Sequence, residues 1–111
     1  MSLLYQIGAA FATGVVLCCV AYAATAVPAA TGASIDNFTF KPDTITVPVG
    51  TTVVWQNDDD IVHTVIALDG AFRSPALDTE DKFSFTFDKV GTFEYFCSLH
   101  PHMKARVVVV P

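Results

Sequence analysis

Sulfur- and nitrogen-bearing side chains are concentrated in seven consecutive residues near the end of the chain. Cys97, His100, His102 and Met103 all lie in this stretch, which reads CSLHPHM. Thiolate and thioether are soft ligands, and with imidazole they favour copper, particularly Cu(I), over the harder divalent ions. Zinc sites of this kind usually contain more than one thiolate or a second histidine pair. The stretch therefore predicts a copper site.

We expect the stretch to supply three of the four ligands of a known copper set, Cys97, His100 and Met103, so the second imidazole must come from elsewhere. Two histidines, one cysteine and a weak axial methionine are the ligands of blue copper centres. His63 is the only histidine outside the stretch. It opens an apolar run, residues 63–68, which we interpret as a strand that brings His63 to the same end of the fold. We therefore expect His63, Cys97, His100 and Met103 to bind copper.

Each of these residues, taken singly, also has an ordinary structural interpretation. A single cysteine or methionine is commonly a core residue, and a histidine is commonly a surface residue. Their joint occurrence in one short segment favours the metal site. A Cys–His nucleophile pair would need a third, orienting residue and an oxyanion loop, and the sequence offers no obvious candidate for either. We therefore predict that the chain is not an enzyme.

The elements that must position these ligands have the pattern of β-strands. Residues 83–87, FSFTF, place three aromatic rings on one face and two hydroxyls on the other, which is typical of a half-buried strand. In residues 92–97 the same alternation turns the Cys97 thiol toward the aromatic core. Residues 104–110 end in four valines and predict a strand covered on both sides, whereas residues 71–81 are irregular. The spacing predicts an all-β Greek-key sandwich or barrel.

The two ends of the chain differ in charge, because no charged residue precedes Asp36. We interpret residues 1–26 as an export signal, residues 27–33 as a linker and residues 34–111 as the folded domain. The first segment lacks the usual basic start and is long enough to span a bilayer, so an uncleaved anchor is the alternative. Either interpretation predicts a periplasmic or otherwise exported domain, with membrane contact only through an uncleaved residue 1–26 segment.

The charged part of the chain is acidic, with 6 Lys and Arg against 11 Asp and Glu, a net charge of −5. This balance argues against nucleic acid and favours a neutral or basic partner. Asp58, Asp59 and Asp60 lie just before His63, and we interpret them either as a solvated turn or as a cluster that steers a basic partner.

Several motifs together resemble the cupredoxin family of type 1 blue copper proteins, and within it the amicyanins. The matching residues are Gly91–Tyr95 (GTFEY), the spacing Cys97-x-x-His100-Pro101-x-Met103, and Trp55-x-Asn57 followed by His63. The resemblance covers residues 34–111. It implies an eight-stranded Greek-key β-sandwich with one copper ion near one end.

The resemblance also implies individual roles. His63 and His100 would bind through imidazole, Cys97 through thiolate and Met103 as a distant axial ligand. Asn57 matches the position whose backbone amide donates to the ligand sulfur, although a turn residue is an equally good interpretation. His102 departs from the family pattern, in which an aromatic or apolar residue is usual. We expect it to face solvent beside the site, and the alternative is that it competes as a ligand.

The function implied is that of a monomeric one-electron carrier between periplasmic redox proteins, such as a c-type cytochrome or an amine dehydrogenase. Electrons would leave through the edge of His100. Leu99, Pro101, His102 and Phe72 are candidates for the docking surface around it. The alternatives are a protein that stores or delivers copper and a metal-free adhesion module.

Overall fold

The computed structural model describes residues 14–19 and 29–111. Its strands are β1 (Ala30–Asp36), β2 (Thr39–Lys41), β3 (Thr44–Pro48), β4 (Thr52–Asn57), β5 (Ile66–Ala67), β6 (Lys82–Thr86), β7 (Gly91–Cys97) and β8 (His100–Val110). They form two four-stranded sheets, of order β2-β1-β4-β6 and β3-β8-β7-β5. The eight-stranded sandwich expected from the sequence is confirmed. Within the described ranges, no helix is long and apolar enough to cross a membrane.

The core between the sheets is built from aromatic rings, as the alternation in β6 and β7 predicts. Trp55 on β4 is fully buried and stacks on Phe72 and Phe83, with ring centroids 5.5 and 5.9 Å apart. Its Nε1–H donates to the hydroxyl of buried Tyr95, 3.2 Å away, and so links the two sheets. Cys97 lies on the same inward face of β7, so the aromatic core fixes the direction in which the thiol points.

The valine run at the end of β8 is covered on one side only, which corrects the expectation of a strand buried on both faces. Val107 and Val109 are 0% and 2% exposed, but Val110 is 37% exposed. β8 pairs with β3 on one edge and β7 on the other. Because only one face of this sheet packs against the other sheet, the alternate valines point outward.

The folded domain begins earlier than the sequence suggests. β1 starts at Ala30 and pairs in parallel with β4, and Ala33 is buried, so residues 30–33 are strand and not linker. Small residues and a glycine gave no strand signal, and only the pairing with β4 reveals one. The export segment, residues 1–26, lies for the most part outside the described residues and stays a prediction.

His63 does not open a long strand, because only Ile66 and Ala67 of the expected run form β5. His63 is instead held by the irregular segment 71–81, which folds back along it. The His63 N–H donates to the Leu77 carbonyl (3.1 Å), and the Leu77 N–H donates to the His63 carbonyl (2.8 Å). This pair of hydrogen bonds fixes the backbone of His63 beside the end of β7.

Candidate metal centre

One side of the candidate centre is a tight hairpin, residues 97–103, which we call the ligand hairpin. Cys97 is the last residue of β7 and His100 is the first residue of β8. A register shift between Phe96 and Cys97 places Cys97 directly opposite His100. The Cys97 sulfur therefore lies 3.6 Å from Nδ1 of His100. Cys97 is fully buried and His100 is half-buried.

Met103, the predicted axial ligand, follows on β8 with its side chain on the inward face. It is 5% exposed and alternates with Ala105 and Val107, which belong to the core. The ligand hairpin thus presents a sulfur on each of its two strands to the interior. Coordination by Met103 remains a prediction of the resemblance.

The opposite side is a group of buried polar residues, Asn57, Asp59, His63 and Thr64, which we call the histidine wall. His63 is 0% exposed, and its Nδ1 lies 3.7 Å from the Cys97 sulfur. The ligand atoms of His63, Cys97 and His100 all lie within 4.8 Å of one another. The structure therefore brings together three of the four predicted ligands from two distant parts of the chain.

The spacing of these atoms fits a transition-metal ion. Metal bonds of about 2.3 Å to sulfur and about 2.0 Å to nitrogen, at angles between tetrahedral and trigonal, separate sulfur from nitrogen by about 3.5 to 3.8 Å. The two observed separations, 3.6 and 3.7 Å, fall in that range. One thiolate with two imidazoles is the equatorial set of a blue copper centre, so the residues present fit copper.

The Cys97 thiol is prepared for metal binding by its hydrogen bonds. Burial raises its pKa, but the Thr64 N–H, 3.4 Å from the sulfur, and the imidazoles of His63 and His100 outweigh that effect and hold the pKa at about 6. An ordinary cysteine has a pKa near 8.5. Cys97 is therefore largely thiolate at neutral pH, and thiolate is the form that binds metals.

The Thr64 amide donates to the Cys97 sulfur and the Asn57 amide does not, so the role predicted for the Asn57 amide is wrong. The Asn57 N–H donates instead to the Asp81 carbonyl, at 2.9 Å. Thr64 directly follows His63, so the same backbone segment delivers the imidazole and the amide. The Thr64 hydroxyl also accepts a 2.9 Å hydrogen bond from the Ser98 N–H. Thr64 therefore ties the histidine wall to the ligand hairpin.

Asn57 supports the site from underneath with its side chain. Its Nδ2 donates to the carbonyls of Ile61 and Leu77, both at 2.8 Å, and its Oδ1 accepts from the Asp59 N–H at 2.9 Å. Asn57 is 0% exposed. These three bonds close the turn that carries Asp59 and fix it against the segment that pairs with His63.

Asp59 orients the imidazole of His63, a role that the sequence did not reveal among three identical neighbours. One carboxylate oxygen lies 2.9 Å from Nε2 of His63. The bond to His63, followed by one from the Phe38 N–H, lowers the pKa of Asp59 to about 2. With copper bound, the carboxylate would accept a hydrogen bond from the Nε2–H and so leave the lone pair of Nδ1 for the metal. Asp58 and Asp60 are exposed, so only they remain available to steer a partner.

The surface around His100 is apolar, but its members differ from those expected. Leu99 is 54% exposed, and Pro101 and His102 are also exposed. The prediction that Phe72 lies on the docking surface is wrong, because it is 4% exposed and stacks on Trp55 in the core.

Phe38, which the sequence analysis did not single out, lies beside the ligands instead. It is 44% exposed, and its ring centroid lies 4.9 Å from that of His100 and 5.6 Å from that of His63. In the sequence, Phe38 is visible only as an aromatic residue between the segments that form β1 and β2. Nothing local distinguished it from the other phenylalanines.

Comparisons with known proteins agree with this geometry. Residues 9–109 match the family model of the cupredoxin-like domain. The amicyanin of Paracoccus versutus is 32% identical over 93 residues, which cover 78% of this chain and 70% of that protein. The amicyanin of Paracoccus denitrificans is 38% identical over 68 residues, about half (52%) of its own length. A purple cupredoxin from Nitrosopumilus maritimus superposes with a TM-score of 0.68 at 33% identity, covering 72% of this chain and 99% of that one.

Proposed function

This chain belongs to the cupredoxin-like family and takes copper as its cofactor, and we propose that it is a one-electron carrier. Its copper would be held by His63, Cys97, His100 and Met103. The observation that carries the proposal is the buried cluster of one thiolate and two imidazoles, with ligand atoms mutually within 4.8 Å. Copper would supply the redox couple, Cu(I) and Cu(II). The proposed function requires no bond formation in a substrate.

The protein's contribution is a ligand frame that changes little between oxidation states. Asp59 fixes the imidazole of His63, and the Thr64 N–H fixes the sulfur of Cys97. Both ligands are anchored to backbone that is itself paired within the fold. The complete burial of His63 and Cys97 excludes water from that side of the site. A dry and rigid site lowers the rearrangement that each electron transfer requires.

His100 would be the point at which electrons enter and leave. It is the most exposed of the four ligands, and the apolar residues Phe38, Leu99 and Pro101 lie around it or beside it in the chain. Exposed apolar patches on small proteins mark places where partners dock. We propose that a redox protein, such as a c-type cytochrome or an amine dehydrogenase, docks here as a transient complex with a monomer.

The acidic charge would act on the rate of encounter. The net charge of −5, with exposed Asp58 and Asp60 on the turn next to Asp59, favours a partner of basic surface. The domain would meet this partner in the periplasm or another exported location, reached through the apolar residues 1–26. We propose that this segment is removed after export, with its retention as a membrane anchor as the alternative. The mass of the protein purified from its native host distinguishes the two.

Copper uptake and redox cycling test the proposal in one titration. Cu(II) is added to the purified protein, and we expect an intense visible band that ascorbate bleaches and an oxidant restores. Cys97→Ala should lose the band, whereas the matched control Cys18→Ala, made like it in the full-length chain, should keep it. A protein that binds copper without the band, and that releases it readily to a chelator, would instead be one that stores or delivers copper. A protein that binds no copper would contradict both functions.

A further inference from the structure

Phe38 lies in a backbone conformation that bulky residues rarely adopt. Asp36 pairs with Thr39 at the end of the β1–β2 hairpin, so Asn37 and Phe38 form a two-residue loop. Their φ angles are 50° and 56°. Such loops need positive φ at both positions and strongly prefer Asn followed by Gly. Asn37 fits this preference, but a phenylalanine in the second position is strained.

The strained loop is held by the same carboxylate that orients a metal ligand. One oxygen of Asp59 accepts the Phe38 N–H at 3.1 Å and also contacts Nε2 of His63 at 2.9 Å. Asp59 is 7% exposed, so this bond is shielded from water. The position of the Phe38 backbone is therefore coupled through one atom to the orientation of His63.

The ring of Phe38 is placed over the ligands and not in the core. It meets both His100 and His63 edge to face, with interplanar angles of 84° and 89°. It is also the only phenylalanine classed as exposed within residues 29–111. A strained backbone that keeps an apolar ring at the surface does not serve core packing. Besides its place in the docking surface, the ring contacts both imidazoles, which gives it a candidate role in the metal centre itself.

We propose that Phe38 is a positioning residue of the metal centre, whose ring braces the half-buried imidazole of His100 and keeps water away from the two histidine ligands. This inference rests on the proposed copper function. His100 needs such a brace more than His63 does, because within residues 29–111 no carboxylate orients it as Asp59 orients His63. Aromatic contacts of this geometry also restrict ring rotation.

Removing the ring should loosen the copper site without unfolding the domain. Loss of an aromatic pair corresponds to about a two- to tenfold change in an equilibrium or a rate. We therefore expect Phe38→Ala to release copper to a chelator about two- to tenfold faster than the unmodified protein. We also expect its reduction potential to fall, because water near the site favours Cu(II) over Cu(I).

Two further variants separate the ring from the backbone strain. Phe38→Gly removes the ring and relieves the positive φ, so it should fold at least as well as Phe38→Ala and release copper equally fast. Phe85→Leu is the matched control, because this half-buried ring contacts Phe72 and Phe87. The inference would be overturned if the rate of copper release and the reduction potential were unchanged in both Phe38 variants. It would also be overturned if Phe85→Leu changed them by the same amounts.

The metal-free protein separates this inference from the proposed function. In its NMR spectrum, Phe38→Ala should shift the ring protons of His100 and His63 and leave those of exposed His102 in place. If the protein binds no copper but these shifts appear, the proposed function fails and the bracing contact stands. If copper binds and neither the shifts nor the release rate change, Phe38 has no positioning role and the proposed function stands.

Discussion

The two sides of the metal centre are built in different ways. The ligand hairpin would supply Cys97, His100 and Met103 from seven consecutive residues, and one register shift brings the first two together. The histidine wall would supply a single ligand, His63, which is held by hydrogen bonds with Asp59 and Leu77 from other segments of the chain. One side is therefore encoded by local spacing, and the other by tertiary contacts.

This difference predicts that the two sides fail in different ways. Damage to the ligand hairpin would remove a ligand but leave the surrounding sheet intact, because residues 91–96 of β7 stay paired with residues 104–109 of β8. Damage to the histidine wall removes the buried partners of other polar groups, and unsatisfied buried groups cost stability. Substitutions in the ligand hairpin should therefore impair metal binding. Substitutions in the histidine wall should impair both metal binding and the stability of the fold.

Removing each imidazole in turn should give the largest effect and separate the two sides most sharply. His63→Gly and His100→Gly should both lose the intense visible band, because each lacks an equatorial ligand. Added imidazole should restore the band in His100→Gly, whose site opens to solvent, and not in His63→Gly, whose site is 0% exposed. His102→Gly is the control and should keep its band; equal rescue at both positions would contradict the difference in access.

Removing the Asn57 side chain tests how far the histidine wall depends on hydrogen bonds. Asn57→Ala breaks three buried bonds, and we expect a loss of about 2 to 4 kcal/mol in the free energy of unfolding of the metal-free protein. Urea denaturation measures it. Gln56→Ala, at the half-buried neighbouring position, should change stability by about 0.5 kcal/mol or less. A comparably small effect at Asn57 would mean that the wall needs no such support.

Neutralising the carboxylate of Asp59 should weaken copper binding more than it weakens the fold. Asp59→Asn keeps the size of the side chain but loses the charge that orients His63. Partners of metal-bound histidines are typically worth about ten- to a hundredfold in metal affinity, and a competition titration with a chelator would show a loss of that size. The exposed neighbour provides the control: Asp60→Asn should bind copper as the unmodified protein does. Equal affinities for the two variants would rule out an orienting role.

The smallest effect is expected away from the metal, where the two sheets meet at Tyr95. Burial raises the pKa of Tyr95 to about 12, above the value of about 10 in an unfolded chain. The unfolded state therefore loses its proton first, and stability falls as the pH rises from about 10 to about 12. Below that window Tyr95 contributes no pH dependence.

Comparison with Tyr95→Phe isolates this contribution from those of other groups. The difference in free energy of unfolding between the two proteins should be constant near neutral pH and should narrow above about pH 10. The variant leaves the Trp55 Nε1–H without its partner, which near neutral pH makes it less stable than the unmodified protein by about 1 kcal/mol. A difference that stays constant up to pH 12 would contradict the raised pKa.

The amino-acid sequence by itself determined the fold class and three residues that the structure brings together, His63, Cys97 and His100. Alternation in β6 and β7 is a local property with a period of two, and it fixed which side of β7 faces the core. The spacing of Cys97, His100 and Met103 is also local. His63 could be chosen because the chain contains so few histidines, although the strand expected to carry it proved to be irregular.

Only the tertiary structure decided what supports those ligands. Asn57, Asp59 and Thr64 have ordinary turn and strand identities, and their roles depend on which atoms they meet across the fold. Phe38 differs from other phenylalanines only in a backbone angle and in the imidazoles that it contacts. A local pattern in the sequence specifies the face of a strand on which each side chain lies. Contacts between segments dozens of residues apart follow from the packing of the whole chain, which no local pattern contains.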